Sequence, residues 1–151
     1  MQARRWTARK AVPTFLVLLA LVGACRSREE TKATAVVKGP RVVSLVPAVT
    51  EMLFAIGAGP QVVGVSSFDK TPAEVATRPR VGALLDPDLE RILSLKPDLV
   101  VTYGSQEALH EQLARARIDT FTYRHGGIGD TLDTMEAIGA RTGHTLSLIH
   151  I

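Results

Sequence analysis

The segment Asp86–Gly104, DPDLERILSLKPDLVVTYG, predicts a helix followed directly by a strand. Either Asp86 or Asp88 can cap the helix, because an aspartate side chain accepts hydrogen bonds from the first free backbone N–H groups. Pro97 ends the helix, since proline has no N–H for the helical ladder. The helix has one apolar face, formed by Leu89, Ile92, Leu93 and Leu95. The apolar run Asp98–Tyr103 predicts a buried strand.

The same alternation of strands and helices continues on both sides of this segment. Further strands are predicted at Arg41–Val46, Gln61–Val65, Arg80–Gly82 and Ile118–Tyr123, and further helices at Ala48–Gly59, Ser105–Arg117 with Ser105 as N-cap, and Gly129–Gly143 with Leu132, Met135 and Ile138 inward. Parallel neighbouring strands need a crossover, which the helices supply. The predicted fold class is therefore α/β: a single Rossmann-like lobe with a parallel sheet flanked by helices.

The first 25 residues have the order of a secretory signal. A basic stub, Met1–Lys10, precedes the apolar stretch Ala11–Ala24, which is shorter than the about 20 residues that span a bilayer. Val22–Cys25 resembles a lipobox, so residues 1–24 are predicted to be a lipoprotein signal peptide and Cys25 to carry lipid. The alternatives are a plain signal peptide with a stray cysteine, or an uncleaved anchor. A lipoprotein signal peptide and a plain signal peptide both predict that the chain lies outside the cytoplasm. A lipid on Cys25 would anchor it to the bacterial cell membrane, in the periplasm or on the outer surface.

The remaining segments divide by composition. Residues 25–39 are polar and aperiodic and are predicted to be a flexible tether, and residues 40–144 carry the folded lobe. Residues 145–151 contain LSLIHI, which a transposon-end sequencing adapter would encode, so this segment is predicted to be a cloning or assembly scar on a truncated gene. The alternative is a natural apolar tail. Without segment 1–24 the chain has 14 basic and 15 acidic side chains, a balance that gives no support to nucleic-acid binding.

Candidate ligand-binding residues follow from the rule that open α/β sheets bind ligands beyond the carboxyl ends of their strands. The residues at those ends that we single out are Pro47, Phe68, Leu84, Leu85, Tyr103, Arg124 and His125. The apolar members can form a binding wall or simply close the core. Arg124 can pair with a ligand carboxylate or be solvated, and His125 can meet an acidic ligand or lie free on the surface. No metal site is predicted, because His125 lacks partners and the chain has one cysteine.

Sequence motifs of enzymes are largely missing, so no catalytic residue and no cofactor is predicted. The chain has no Walker loop, no G-x-S-x-G and no H-E-x-x-H. The segment Arg124–Asp130, RHGGIGD, is weakly similar to a phosphate-cradling loop. Its alternative interpretation is a turn in which Asp130 caps the last helix.

Three segments together resemble the N-terminal lobe of the periplasmic binding proteins that deliver vitamin B12, haem and iron–siderophores to ABC importers. They are RVVSLVPAVTEMLFAIGA (41–58), VVGVSSF (62–68) and VGALLDPDLERILSLKPDLVV (81–101). The resemblance implies the first half of a two-lobe protein, with the ligand between the lobes and residues 40–144 as the N-terminal lobe.

The resemblance also implies a function, partners and residue roles. The chain would be the substrate-binding lipoprotein of an importer for a metal chelate (cobalamin, haem or ferric siderophore) that works with an ABC permease and its ATPase. Glu90 matches a glutamate that docks on the permease, and Phe68 matches an aromatic residue of the B12-binding members. Leu84 stands where those members have tryptophan, a departure that weakens the B12 assignment. The alternatives are an extracytoplasmic α/β enzyme or nucleotide-binding domain, and a lipoprotein that binds a partner without transport.

Overall fold

The computed structural model describes residues 39–144, and a four-stranded parallel sheet forms their centre. The strands are β1 (Val42–Ser44), β2 (Val62–Val65), β3 (Leu99–Tyr103) and β4 (Asp119–Tyr123), in the order β2-β1-β3-β4. The α-helices are α1 (Pro47–Ala55), α2 (Leu89–Ser94), α3 (Glu107–Arg115) and α4 (Ile128–Thr142), with short 3-10 helices at Gly59–Gln61 and Ala73–Thr77. The predicted signal peptide 1–24, Cys25, nearly all of the predicted tether and the predicted scar 145–151 lie outside the described residues.

The predicted α/β class is confirmed, because helices cover both faces of the sheet. Successive strand residues point to opposite faces, so Val42 and Val101 pack with α1 and α4, whereas Val43 and Val100 pack with α2 and α3. All four of these valines are completely buried. The near-continuous apolar strands of the sequence therefore serve two cores at once, as expected for a parallel sheet.

Three predicted details are wrong. Arg80–Gly82 is not a strand, because only Arg80 pairs in parallel with Val65 before the chain turns at Gly82. Ser105 does not cap α3, which begins at Glu107 with Gln106 at the cap position. Leu132 is not inward, since 41% of it remains exposed.

Of the two aspartates predicted as possible caps of α2, only one caps the helix. Asp88 is the N-cap, and its Oδ1 accepts a hydrogen bond from the backbone N–H of Arg91 at 2.9 Å. Asp86 instead lies in the turn before the helix, where its N–H and carbonyl both bond to Ala83.

Within residues 39–144, every helix is too short or too polar to cross a lipid bilayer.

Candidate functional site

An open cleft of about 580 Å³ lies at the carboxyl ends of the strands. Residues after β1 and β2 and the last residues of β3 and β4 meet there, because the strands are parallel and end at the same edge of the sheet. The lining is predominantly apolar and consists of Leu45, Val46, Pro47, Ala48, Ser66, Phe68, Ala83, Leu84, Leu85, Asp86, Tyr103 and Tyr123. Such a concave apolar surface with a few polar groups is the usual form of a small-molecule site.

The structure brings five of the seven predicted ligand residues together in this cleft: Pro47, Phe68, Leu84, Leu85 and Tyr103. Phe68 is 68% exposed and Leu85 is 94% exposed, so two large apolar side chains face solvent at its rim. Folding energy alone gives no reason to leave such side chains in water. Their exposure favours a binding wall over the alternative of core closure.

Arg124 and His125 are exposed and do not line the cleft. They follow β4, which lies at the margin of the sheet and pairs with β3 alone. Ligand binding by either residue stays a prediction, and it would need contacts beyond the cleft lining.

Tyr123 was missed as a lining residue. It is the last residue of β4 and stands in register with Tyr103 on β3. The two rings pack edge to face, with centroids 5.8 Å apart and planes at 68°. The signal was present in the sequence, because both predicted strands end on a tyrosine and adjacent parallel strands place equivalent ends side by side.

Leu84 and Leu85 are displayed by a tight turn between Gly82 and Asp88. The N–H of Ala83 donates to the carbonyl of Asp86 at 3.0 Å, and the N–H of Asp86 donates back to the Ala83 carbonyl at 3.2 Å. Gly82 enters the turn at φ +86°, a conformation that side chains disfavour. The turn therefore fixes two leucines at the rim of the cleft.

Gln106 joins this turn to the end of β3. Its Oε1 accepts a hydrogen bond from the backbone N–H of Tyr103 at 3.0 Å, and its Nε2 donates to the Leu84 carbonyl at 2.6 Å. One side chain thereby connects two walls of the cleft. This role of Gln106 was not predicted from the sequence, because a glutamine before a helix has no distinguishing pattern.

Phe68 is displayed by a second turn, Ser66–Asp69. Its backbone N–H donates to the Ser66 hydroxyl at 3.2 Å, and the Arg80 guanidinium donates to the carbonyls of Ser66 and Asp69 at 2.9 and 2.8 Å. Asp69 points inward and is only 3% exposed. Burial raises the pKa of its carboxyl above the ordinary aspartate value, because the charged form loses hydration.

Glu90 lies in the first turn of α2 and is exposed, beside a shallow hollow with Asp88, Arg91 and Ser94. The neighbouring Arg91 guanidinium donates instead to the Arg80 carbonyl at 3.1 Å. Within residues 39–144 the only ion pair joins Arg115 and Glu111, so Glu90 has no intramolecular counterion there. Its carboxylate is available to an external cation.

No cluster of three His, Cys, Asp or Glu side chains that could hold a metal ion occurs in the part of the chain that the structure describes. His110 is half-buried, and its Nε2 lies 2.7 Å from the Thr102 hydroxyl. The lining residues of the cleft offer apolar surface and aromatic edges to a ligand.

A sequence model of the periplasmic binding protein family matches residues 42–146, which include all four strands and the cleft. The chain belongs to this family. The chain is 39% identical over 103 residues to the vitamin B12-binding protein of Salmonella typhimurium, covering 67% of this chain and 38% of that protein. It is 34% identical over 108 residues to the uncharacterized ABC transporter substrate-binding lipoprotein YvrC of Bacillus subtilis, covering 68% and 34%.

The fold agrees with a solved member of the periplasmic binding protein family. The crystal structure of the vitamin B12 binding protein BtuF of Vibrio cholerae superposes with a TM-score of 0.63 at 25% identity, covering 69% of this chain and 42% of that one. The chain spans about a third of the length of the curated relatives that it matches. The resemblance of the sequence to the periplasmic binding protein family is thereby confirmed.

Proposed function

We propose that this chain supplies the first lobe of a two-lobe substrate-binding protein that delivers a metal chelate to an ABC permease and its ATPase. The observation that carries the proposal is the apolar cleft, whose rim exposes Phe68 and Leu85 to solvent. A second lobe closing over that rim would bury both side chains with the ligand. The role is binding without covalent chemistry, so no residue is assigned to catalysis.

The apolar wall of the cleft supports this ligand class. Cobalamin, haem and ferric siderophores are large and partly apolar. The pair Tyr103–Tyr123 and the turn that carries Leu84 and Leu85, here called the leucine turn, present an extended surface to such molecules. The names of the Salmonella and Vibrio relatives support cobalamin, and the leucine at position 84 leaves the choice among the three open to titration.

The proposed location is outside the cytoplasm, with Cys25 lipidated after removal of residues 1–24. The name of the Bacillus relative, a substrate-binding lipoprotein, supports this location. Two acyl chains anchor a protein far better than one. Segment 25–39 would then link the lipid to the lobe and keep the lobe close to the membrane and its permease.

We expect the chain by itself to bind cobalamin, haem and ferric siderophores only weakly, with dissociation constants above about 1 μM. Tight sites bury most of the ligand surface, whereas one wall can cover one side only. Absorbance or fluorescence titration of each chelate into the chain measures this. Nanomolar binding by the chain would contradict the two-lobe proposal.

The matched control uses two exposed leucines of the same lobe. Leu85→Ala removes apolar surface from the cleft and should weaken chelate binding, whereas Leu93→Ala removes a leucine that is 39% exposed on α2 and does not line the cleft. Equal effects of the two substitutions would show that the chelate binds elsewhere.

Glu90→Arg should reduce uptake of the chelate by roughly tenfold or more when introduced into the complete transport protein, because reversal of a docking charge costs a few kcal/mol. Ligand affinity should not change, since Glu90 does not line the cleft. Uptake of labelled chelate by cells and titration of the purified variant measure the two effects separately.

The control for this prediction is Glu107→Arg. Glu107 is also an exposed acid in the first turn of a helix, so both substitutions lose the same favourable interaction with the helix dipole. Only the Glu90 variant should lose uptake. Wild-type uptake in that variant, or an equal loss in both, would remove Glu90 from the docking surface.

The nucleotide-binding alternative finds no support at the Arg124–Asp130 loop. The carboxylate of Asp130 accepts a hydrogen bond from the Gly127 N–H at 2.7 Å, at the start of α4. A phosphate at that helix terminus would have to displace the protein's own carboxylate, which already satisfies the N–H group.

A further inference from the structure

The carboxyl group of Asp69 is buried and forms no hydrogen bond of ordinary distance and angle. Asp69 is 3% exposed, and neither of its carboxylate oxygens has a hydrogen-bond partner of ordinary geometry among the described residues, although the Thr50 hydroxyl and the Ser66 backbone lie near enough to favour its charged form. The nearby Thr50 hydroxyl lies 2.9 Å from the Ser44 hydroxyl and 3.2 Å from the Val46 carbonyl, so it has other partners for its proton. A buried carboxylate in this position costs free energy, whereas a protonated carboxyl costs much less.

The charged groups around Asp69 do not remove that cost. Burial is the main cause of its raised pKa, and the Glu51 carboxylate adds to it from α1. Thr50, the Ser66 backbone and the Arg80 guanidinium act in the opposite direction without overcoming burial. Arg80 donates to the backbone carbonyls of the turn, while Glu51 accepts a hydrogen bond from the Thr71 hydroxyl.

The same turn holds Phe68 at the cleft. The N–H of Asp69 donates to the Ser66 carbonyl at 3.2 Å, and the N–H of Ser67 donates to the Gly82 carbonyl at 2.7 Å. Phe68 therefore projects outward beside the cleft while its neighbour Asp69 is packed inward. Movement of Asp69 towards water would break the turn and displace the Phe68 ring.

We propose that Asp69 is a proton-controlled positioning residue: its neutral carboxyl keeps the Ser66–Asp69 turn closed with Phe68 at the cleft, and its ionisation favours the open turn. The link from the turn to ligand binding rests on the proposed function, whereas the opening of the turn does not. The proposal predicts that a chelate held by Phe68 binds more tightly at acidic pH than at alkaline pH.

The sign follows from linkage between protonation and closure. The closed turn has the higher pKa, so its stability is fully present below the ordinary aspartate pKa and declines as pH rises towards the closed-state pKa. Within that window the population of the open turn should rise about tenfold per pH unit. Above the closed-state pKa the dependence should level off.

Amide hydrogen exchange of the full chain tests the proposal without any ligand. After correction for intrinsic exchange, protection of the Ser67 and Asp69 amides should fall by about tenfold per pH unit between the ordinary aspartate pKa and the pKa of Asp69 in the closed turn. The Leu45 amide, which donates to Val101 at 3.0 Å in the sheet, should keep its protection. Asp69→Asn, which has nearly the same shape and cannot ionise, should make the turn amides independent of pH.

Glu74→Gln is the matched control, because it neutralises an exposed acid on the nearby 3-10 helix and should leave the pH profile unchanged. A pH dependence that persists in Asp69→Asn would overturn the proposal. So would an equal loss of protection at Leu45, which would indicate global unfolding instead of a local opening. Chelate titration is a separate measurement, so failure of the binding proposal and failure of this one are distinguishable.

Discussion

Leu53→Ala should lower the free energy of unfolding by about 2–5 kcal/mol, which is the cost of removing a fully buried leucine. Leu53 is completely buried on α1, within the cluster that joins this helix to β1, β2 and α4. The substitution leaves a cavity that the rigid strands can fill only partly. Because small domains have about 5–15 kcal/mol of stability, this variant should lose a large part of it.

Urea unfolding followed by circular dichroism measures the loss, and Leu85→Ala is the control. Both substitutions remove the same atoms, but Leu85 is 94% exposed and the folded state gains almost nothing from burying it. Its effect on unfolding should stay within about 0.5 kcal/mol. Similar losses in the two variants would mean that α1 does not pack on the sheet as described.

The fold could be predicted from sequence because its signals are local. The apolar run before Pro47 predicted a buried strand, and Pro97 marked the end of a helix. Parallel pairing of the strands followed from the alternation of strands and helices along the chain. The errors at Arg80–Gly82 and Ser105 arose where a tertiary contact decides the backbone. A single bridge to Val65 and the hydrogen bond from Tyr103 to Gln106 leave no mark in a window of sequence.

The site was predictable to the extent that it follows from strand ends. Phe68 and Tyr103 were found in this way and line the cleft. Tyr123 was missed because Arg124 and His125, which follow β4, were chosen as candidates at the carboxyl end of that strand. The last residue of the strand itself was not considered. The burial of Asp69 could not be predicted, because Lys70 and other polar neighbours in the sequence give no indication of which side chain turns inward.

Gly82→Val should cost about 2–5 kcal/mol of stability and displace the leucine turn from the cleft. Gly82 has φ +86°, and a Cβ there would collide with the Asp86 carbonyl oxygen and lie 2.7 Å from the Asp88 nitrogen. Both obstacles are backbone atoms, so no side-chain rotation can relieve the contact. The chain must either accept the strain or open the turn between Ala83 and Asp86.

Opening that turn has consequences on two sides, because the Gly82 carbonyl also accepts the hydrogen bond from Ser67. The variant should therefore lose hydrogen-exchange protection at Ala83, Asp86 and Ser67 together, and chelate binding should weaken with it. Gly129→Ala is the control. Gly129 lies in the first turn of α4, and apart from its own helix backbone and chain neighbours nothing lies within 4 Å of its Cβ position, so alanine should be neutral or stabilise by up to about 1 kcal/mol. Wild-type protection at the three amides in Gly82→Val would contradict the conclusion that one glycine shapes both rims of the cleft.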